Sequence, residues 1–166
     1  MALFKAWRYV ARVELIDLDE LARDGIRCLL LDRDNTIVPR TTKRVPEAVR
    51  AWIDRAHELG FSVCIVSNNL HSRLVEATAR ELDAQWVGGA MKPFPFAMRR
   101  ALDELGVSAG QAVMVGDQVY TDICAGNLAG VRTILVRPQS MRELWYTYLF
   151  RAFEAVALRG NRFEGE

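Results

Sequence analysis

The chain has 166 residues, of which 51% are hydrophobic and 26% are charged. This composition excludes a disordered chain, and the length is typical of one globular domain. The 22 Lys and Arg residues balance 21 Asp and Glu residues, which gives a formal net charge of +1. A chain this close to neutral offers no argument for a nucleic acid partner.

The N-terminal residues and the cysteines indicate the cellular compartment. The first ten residues contain Lys5 and Arg8 and precede no small-residue cleavage site, so we expect no signal peptide. No apolar run approaches membrane-spanning length. The cysteines are odd in number, form no Cys-x-x-Cys pair and lie in or beside apolar stretches: Cys28, Cys64 and Cys124. This pattern favours reduced core thiols over disulfides or a zinc site, and it predicts a cytoplasmic protein.

Short apolar runs alternate with helical patterns along the chain. The apolar runs predict buried strands at 26–31, 61–66, 85–87, 112–115 and 133–136. The spacing of apolar residues predicts helices at about 46–59 and 72–82, and a third that begins near Pro93 or Pro95 and ends before Gly106. Strands joined by crossover helices form a parallel sheet that is covered on both faces. We therefore predict an α/β fold, a three-layer α/β/α sandwich with a parallel Rossmann-like sheet.

Polar residues follow the predicted strands at their carboxyl ends, where parallel sheets bind ligands. Asp32 and Asp34 come directly after an apolar run, and buried carboxylates need a cation or several donors to replace their hydration. Taken singly, such residues are ordinary turn formers or helix caps. Their shared placement favours one site, whose candidate residues are Asp32, Asp34, Ser67, Asn68, Lys92, Asp117 and Asp122.

The residue types in this group fit the hydrolysis of a phosphate monoester. That reaction needs a nucleophile, an acid for the leaving oxygen and positive charge around the phosphoryl oxygens. Asp32 is the candidate nucleophile, and Asp34 is the candidate general acid and base. Lys92 is the candidate catalytic cation, and we predict that it binds the substrate phosphate together with Ser67 and Asn68.

The carboxylates also predict a metal site. Mg²⁺ prefers oxygen ligands in octahedral geometry and retains several waters. A cation of this kind would neutralise the nucleophile and the phosphate together. The predicted metal ligands are Asp32, Asp34, Asp117 and Asp122.

The four segments resemble, in their order, the motifs of the haloacid dehalogenase (HAD) superfamily of Mg²⁺-dependent phosphohydrolases. Residues 32–36 (Asp-Arg-Asp-Asn-Thr) resemble the first motif, Ser67 the second, Lys92-Pro93 the third and residues 116–122 the fourth. The resemblance implies that Asp32 is the nucleophile and that Asp34 is the acid/base and binds metal through its main-chain carbonyl. It also implies that Asp117 binds the metal and that Asp122 supports it. Arg33 stands where an apolar residue is more usual, and both a substrate contact and exposure to solvent stay open for it.

Members of the superfamily carry cap domains inserted after the first motif or between the second and third. Here the segment 36–67 accommodates a loop, a helix and a strand, and 67–92 accommodates a helix and a short strand, so we expect an open, uncapped site. The chain is similar to the YqeG-type branch of subfamily IIIA, which includes phosphatidylglycerophosphate phosphatases. We predict one domain over 1–166, with a core at about 26–136, an N-terminal segment 1–25 and a C-terminal helix at about 140–159.

The predicted C-terminal helix bears on the substrate and the partners. Apolar residues recur at helical spacing from Met141 to Val156, with arginines nearby. Such a face covers a sheet, contacts a second subunit or binds anionic lipid. A lipid phosphate such as phosphatidylglycerophosphate, peripheral attachment to the inner face of the membrane and a homo-oligomer are therefore all open.

Two other classes of function compete with a lipid phosphatase. One is a soluble phosphatase of sugar or nucleotide phosphates, and the other is a non-catalytic phosphoryl receiver or interaction module. A receiver has no need of a second carboxylate two residues after the acceptor, since rapid hydrolysis would erase its signal. The position of Asp34 therefore favours turnover.

Overall fold

The structure is a computed structural model that describes residues 3–140 and 162–165. The strands of the described part are β1 (Arg8–Val10), β2 (Cys28–Leu31), β3 (Ser62–Val66), β4 (Gln85–Val87), β5 (Ala112–Gly116) and β6 (Arg132–Val136). The α-helices are α1 (Leu18–Arg23), α2 (Glu47–Glu58), α3 (Ser72–Glu81), α4 (Phe96–Leu105) and α5 (Cys124–Ala129). Short 3-10 turns lie at Val13–Leu15 and Ala109–Gln111, and a π-helical turn at Val119–Ile123 leads into α5.

The strands form one sheet in the order β1-β6-β5-β2-β3-β4, and every neighbouring pair is parallel. The chain runs outward from β2 through β3 to β4, and then crosses to β5 on the other side of β2. The order of the strands therefore reverses between β2 and β5. In open α/β sheets the crevice at the carboxyl ends of such a strand pair is the usual ligand site.

Alternate residues of the central strands pack into layers on opposite faces of the sheet. Leu29 and Leu31 of β2 belong to the core that contacts α1, α2 and α3. Cys28 and Leu30 belong to the second core, which contacts α4 and α5. Both cores are almost fully buried, which explains why the strand sequences read as continuous apolar runs instead of alternating ones. This arrangement confirms the predicted three-layer sandwich.

The structure corrects several predicted boundaries. The strand predicted at 26–31 begins at Cys28, and the helix predicted to begin near Pro93 or Pro95 begins at Phe96, directly after the second of these prolines. Strand β1 and helices α1 and α5 were not predicted. Residues 36–92 hold α2, β3, α3 and β4 without an inserted domain, as expected. The predicted C-terminal helix at about 140–159 lies outside the described residues, apart from its first residue.

The cysteines are buried and free, as predicted for core thiols. Burial raises the pKa of the Cys28 thiol to about 12. Burial also raises the pKa of the Cys64 thiol to about 12, with smaller contributions from Cys28 and Glu104. None of the described helices has the length and apolar character needed to cross a bilayer.

Candidate active site

Asp32 leaves the carboxyl end of β2 at the point where the strand order reverses. Its main-chain N–H donates to the Val115 carbonyl at 2.9 Å, so the hydrogen bonding between β2 and β5 continues to this residue. The residue is only 8% exposed. The central strands therefore hold the Asp32 carboxylate in a fixed position at the carboxyl edge of the sheet.

Lys92 is buried among the carboxylates of this edge. Its ammonium lies 2.6 Å from Asp32 Oδ1 and 2.7 Å from Asp122 Oδ1, and it donates to the Val66 carbonyl at 2.8 Å. The side chain is 2% exposed. A buried ammonium is stable only when carboxylates and carbonyls replace its lost water, and all three of these partners are supplied here.

Three buried carboxylates meet beside this ammonium. One oxygen from each of Asp32, Asp117 and Asp122 lies within 4.8 Å of the others. Three carboxylates around a single ammonium leave an excess of negative charge in a buried space. Because the donors are all hard oxygens, the group fits a divalent cation such as Mg²⁺. Asp34, the fourth predicted ligand, does not bring its side chain into this group.

Burial and neighbouring charges determine the pKa values of Asp32 and Lys92 at the carboxyl edge of the sheet. Burial raises the pKa of Asp32 well above its ordinary value, and repulsion from Asp122 adds to this effect, while Lys92 opposes it. Burial alone would lower the pKa of Lys92, but the carboxylates of Asp122 and Asp32 outweigh it and raise the pKa above its ordinary value. Lys92 is therefore charged, and Asp32 depends on neighbouring positive charge to stay ionised.

Two neighbouring side chains hold the Asp34 side chain away from the group of three buried carboxylates. Arg33 Nη1 contacts Asp34 Oδ1 at 2.5 Å, and Asn69 Nδ2 donates to Asp34 Oδ2 at 3.3 Å. The Asp34 side chain is 25% exposed, so it faces the space outside the buried carboxylates.

Arg33 is neither a solvent-exposed residue nor a freely mobile one. Its side chain is 8% exposed, and its Nε donates to Thr78 Oγ1 of α3 at 2.9 Å. Thr78 in turn donates to the Leu74 carbonyl at 3.0 Å. A planar guanidinium fixed at two points orients the carboxylate that it contacts. Of the two alternatives left open for Arg33, exposure to solvent does not apply, because the residue joins Asp34 to helix α3.

Ser67 and Asn68 follow β3 and face the loop that carries Lys92. Ser67 is 1% exposed, and its Oγ accepts the Asn69 N–H at 3.1 Å. The Asn68 side chain donates to the Lys92 carbonyl at 3.0 Å and accepts the Lys92 N–H at 2.7 Å. Asn68 thus fixes the main chain of Lys92, and phosphate binding by its side chain stays a prediction.

The loop after Asp34 is closed by residues from beyond β6. Asn35 has a φ of 66°, a left-handed conformation that Asn tolerates better than most residues. Its Oδ1 accepts from Ser140 Oγ at 2.6 Å, and its carbonyl accepts the Gln139 N–H at 2.9 Å. Thr36 Oγ1 donates to Asp117 Oδ1 at 3.4 Å. The first and fourth segments are thereby connected directly.

Gly116 is required by the position of Asp122. A Cβ at Gly116 would overlap the Cβ, Cγ and Oδ2 atoms of Asp122. The Gln118 N–H donates to Asp122 Oδ2 at 3.1 Å, so the Asp122 carboxylate has little room to move. The missing side chain at Gly116 therefore lets Asp122 reach Lys92.

The structure brings the predicted residues to one edge of the sheet, where their contacts place them in separate groups. Asp32, Lys92, Asp117 and Asp122 form the buried group, and Asp34 lies beside it. Ser67 and Asn68 lie in the loop joined to Lys92. Sequence reasoning missed the contacts of Arg33, Asn35 and Gly116. For Asn35 a signal was available, because Asn tolerates the left-handed conformation. For Gly116 the signal was a Gly directly before an Asp. Nothing in the local sequence indicates the pairing of Arg33 with Thr78.

Comparisons with known proteins agree with this geometry. A family model described as HAD-hydrolase-like matches residues 89–147, and one described as mitochondrial PGP phosphatase matches residues 9–87. The chain is 30% identical over 161 residues to a probable phosphatase YqeG of Bacillus subtilis, covering 95% of this chain and 91% of that protein.

A second relative and a solved structure extend the comparison. Phosphatidylglycerophosphate phosphatase 1, chloroplastic/mitochondrial, of Arabidopsis thaliana is 25% identical over 142 residues, which is 81% of this chain but only 41% of that protein. A hydrolase from Streptococcus pneumoniae has the same fold, with a TM-score of 0.57, 13% identity and coverage of 78% of this chain and 99% of that one. From its motifs, its fold and its near full-length similarity to YqeG, the chain belongs to the HAD-like family of phosphatases.

Proposed function

We propose that the protein is a Mg²⁺-dependent phosphomonoester hydrolase that works through an aspartyl-phosphate intermediate on Asp32. The observation that carries this proposal is the buried group at the carboxyl edge, where Asp32, Asp117 and Asp122 lie together and the ammonium of Lys92 contacts Asp32 and Asp122. In this proposal residues 1–166 form one phosphatase domain with its core at 26–136. Its place of action is the cytoplasm.

Mg²⁺ would be held by the carboxylates of Asp32 and Asp117 and by the main-chain carbonyl of Asp34, with Asp122 supporting the site. When bound, the metal supplies positive charge that offsets the repulsion between the nucleophile and the phosphate. Lys92 supplies a second positive charge, at 2.6 Å from Asp32 Oδ1. Both charges keep the Asp32 carboxylate ionised despite its burial.

In the first chemical step an oxygen of Asp32 attacks phosphorus, and the bond from phosphorus to the leaving oxygen breaks. Asp34 gives its proton to that oxygen, so the product leaves as a neutral alcohol. Lys92 and the Ser67 hydroxyl stabilise the charge on the phosphoryl oxygens. The Asp34 carboxylate is suited to this task because Arg33 and Asn69 hold it outside the buried group.

In the second step a water molecule attacks the phosphorus of the aspartyl phosphate. Asp34, now deprotonated, accepts a proton from this water, and the bond between phosphorus and Asp32 breaks to release inorganic phosphate. One residue thus acts first as an acid and then as a base. This dual role distinguishes a phosphatase from a phosphoryl receiver.

For the substrate we propose a lipid phosphate such as phosphatidylglycerophosphate. The proposal is supported by the PGP phosphatase family model over residues 9–87 and by the name of the Arabidopsis relative. The uncapped edge between residues 36 and 92 leaves room for a bulky substrate. Peripheral attachment to the inner face of the membrane and a homo-oligomer remain parts of the proposal.

A soluble substrate is the second candidate. Relatives matched over shorter stretches include a dihydroxyacetone phosphatase of Corynebacterium glutamicum, 46% identical over 46 residues, and a ribonucleotide monophosphatase NagD of Escherichia coli, 47% identical over 45 residues. Those matches cover 28% and 27% of this chain. They therefore support the shared phosphoryl chemistry more than a shared leaving group.

Phosphate release tests the proposal. Purified protein is assayed with and without Mg²⁺ on phosphatidylglycerophosphate, sugar phosphates, nucleotides and phosphopeptides. We expect Asp32→Asn to lower turnover by about a thousandfold or more, since the amide is a poor nucleophile. Asp103→Asn, the same change at an exposed position of α4, is the matched control and should keep wild-type activity. Retained turnover in Asp32→Asn would refute the nucleophile assignment.

A further inference from the structure

Four large apolar side chains are exposed beside the active site, and we call them the apolar rim: Leu70, Met91, Phe94 and Phe96. Their exposed fractions are 86%, 66%, 57% and 63% in that order. The rings of Phe94 and Phe96 stack with their centroids 6.1 Å apart. Single exposed apolar residues are ordinary on protein surfaces, but a contiguous group of this size marks an interaction surface.

The apolar rim is one surface because its two loops are hydrogen-bonded to each other. The Ala90 N–H donates to the Ser67 carbonyl at 2.9 Å, and the Gly89 N–H donates to the Asn69 carbonyl at 3.4 Å. A Cβ built at Gly89 would lie 4.0 Å from the Leu70 side chain. Leu70 therefore lies against the loop that carries the other rim residues.

The loop that carries the rim also carries the phosphate-binding lysine. Lys92 points inward to Asp32, whereas Met91 and Phe94, one and two positions away, are exposed. With about 3.8 Å between consecutive Cα atoms, their backbone lies within about 8 Å of Lys92. A phosphate ester bound at Lys92 would therefore have the rest of its molecule close to the apolar rim.

Basic residues flank the rim, and one of them, Arg100, pairs with Glu104 of the same helix at 2.7 Å. The segments 67–74 and 88–100 contain Arg73, Lys92, Arg99 and Arg100 and no Asp or Glu. The three arginines are exposed. Exposed aromatic and aliphatic residues next to basic residues are typical of proteins that bind at the interface of anionic membranes.

From these observations we propose that the apolar rim and its arginines dock the protein on the interface of an anionic lipid bilayer. There the open site reaches the phosphate of a lipid while the rim side chains enter the boundary of the acyl chains. This inference rests on the proposed phosphatase function and adds the surface by which the substrate is reached. A second copy of the chain fits the rim less well, because it brings no phosphate to Lys92, whereas a lipid headgroup does.

Vesicle binding tests this proposal. Wild-type protein should sediment with vesicles of equimolar phosphatidylcholine and phosphatidylglycerol, and more weakly with vesicles of phosphatidylcholine alone. The double variant Phe94→Ser/Phe96→Ser should lose about tenfold or more of this binding. Leu15→Ser is the matched control, because Leu15 is 42% exposed in the turn that follows β1, at the opposite edge of the sheet from β3 and β4. Hydrolysis of soluble p-nitrophenyl phosphate should be unchanged in both variants.

Several results would overturn the docking proposal. They are failure of the wild type to bind either kind of vesicle, equal losses in the double variant and the Leu15 control, and a changed oligomeric mass in the double variant with vesicle binding intact. The last result would assign the rim to a contact between subunits. If the double variant does not fold, Leu70→Ser provides the same comparison. Failure of the wild type to hydrolyse p-nitrophenyl phosphate would instead refute the proposed function.

Discussion

Removing the positive charge of Lys92 should destabilise the fold as well as abolish activity. Lys92→Met keeps an unbranched side chain of similar length but deletes the ammonium that contacts Asp32 and Asp122. Both carboxylates are then left buried without their cation. Deleting one partner of a buried ion pair costs about 3–5 kcal/mol, mainly because the remaining charge is unpaired.

This cost translates into a measurable shift. For a domain of this size 1 kcal/mol corresponds to about 2–4 °C in Tm, so we expect Tm to fall by about 6–20 °C. The loss should grow with pH. Burial already raises the pKa of Asp32, and without Lys92 that pKa rises further. A raised pKa in the folded state means that stability is retained while the carboxyl is protonated and is lost as pH rises through the folded-state pKa.

Urea unfolding with a metal chelator present, at pH 5.5 and at pH 8, measures both effects. Mg²⁺ should then stabilise Lys92→Met more than the wild type, because the metal neutralises the same carboxylates. The double variant Lys92→Met/Asp122→Asn is the control, and it should recover part of the loss, since one unpaired charge is removed. A loss below about 1 kcal/mol at pH 8 would refute the view that Lys92 balances the buried carboxylates.

Three other predictions concern two glycines, Arg33 and the buried cysteines. Gly116→Ala and Gly126→Ala should each cost about 1–3 kcal/mol through overpacking, but only Gly116→Ala should weaken Mg²⁺ binding measured by calorimetry. Arg33→Met should lower kcat/KM for an alkyl phosphate about tenfold or more and leave that for dinitrophenyl phosphate nearly unchanged, since only the alkoxide needs a proton from Asp34. The three buried cysteines should react with a thiol reagent only after unfolding.

Each of these has a clear contrary result. Equal loss of Mg²⁺ affinity in the two glycine variants would mean that overpacking acts through general loosening of the fold. Equal loss on both substrates in Arg33→Met would show that Arg33 serves folding or phosphate binding and not the orientation of Asp34. Rapid labelling of a thiol in the native protein would contradict the buried placement of the cysteines.

The strands β2, β3, β5 and β6 could be predicted from the sequence because they are buried on both faces. Continuous apolar runs bounded by Gly, Pro and polar residues have few other interpretations. Strand β4 has the bounds predicted for it, 85–87, although its residues are exposed or half-buried. Strand β1 was missed, since it has only three residues and two of them, Arg8 and Tyr9, carry polar groups and are half-buried. The six-residue helices α1 and α5 are too short for a helical period to emerge.

The candidate site was predictable where its residues stand at strand ends. Its finer contacts were not, because they join residues far apart in the chain. Arg33 binds Thr78, 45 positions later, and Asn35 binds Ser140, 105 positions later. Asn68 illustrates the same limit, since its placement beside a predicted phosphate-binding serine gave no sign of its two hydrogen bonds to Lys92.

Trapping the covalent intermediate tests the central claim most directly. Wild-type protein and Asp34→Asn are mixed with substrate and Mg²⁺, quenched in acid and treated with borohydride, which reduces an acyl phosphate to an alcohol. Peptide mass spectrometry then locates the reduced residue. We expect homoserine at position 32, in greater amount in Asp34→Asn because breakdown of the intermediate needs the base. Reduction at another aspartate, or phosphate release with no reduced residue in either protein, would contradict a phosphorylated Asp32.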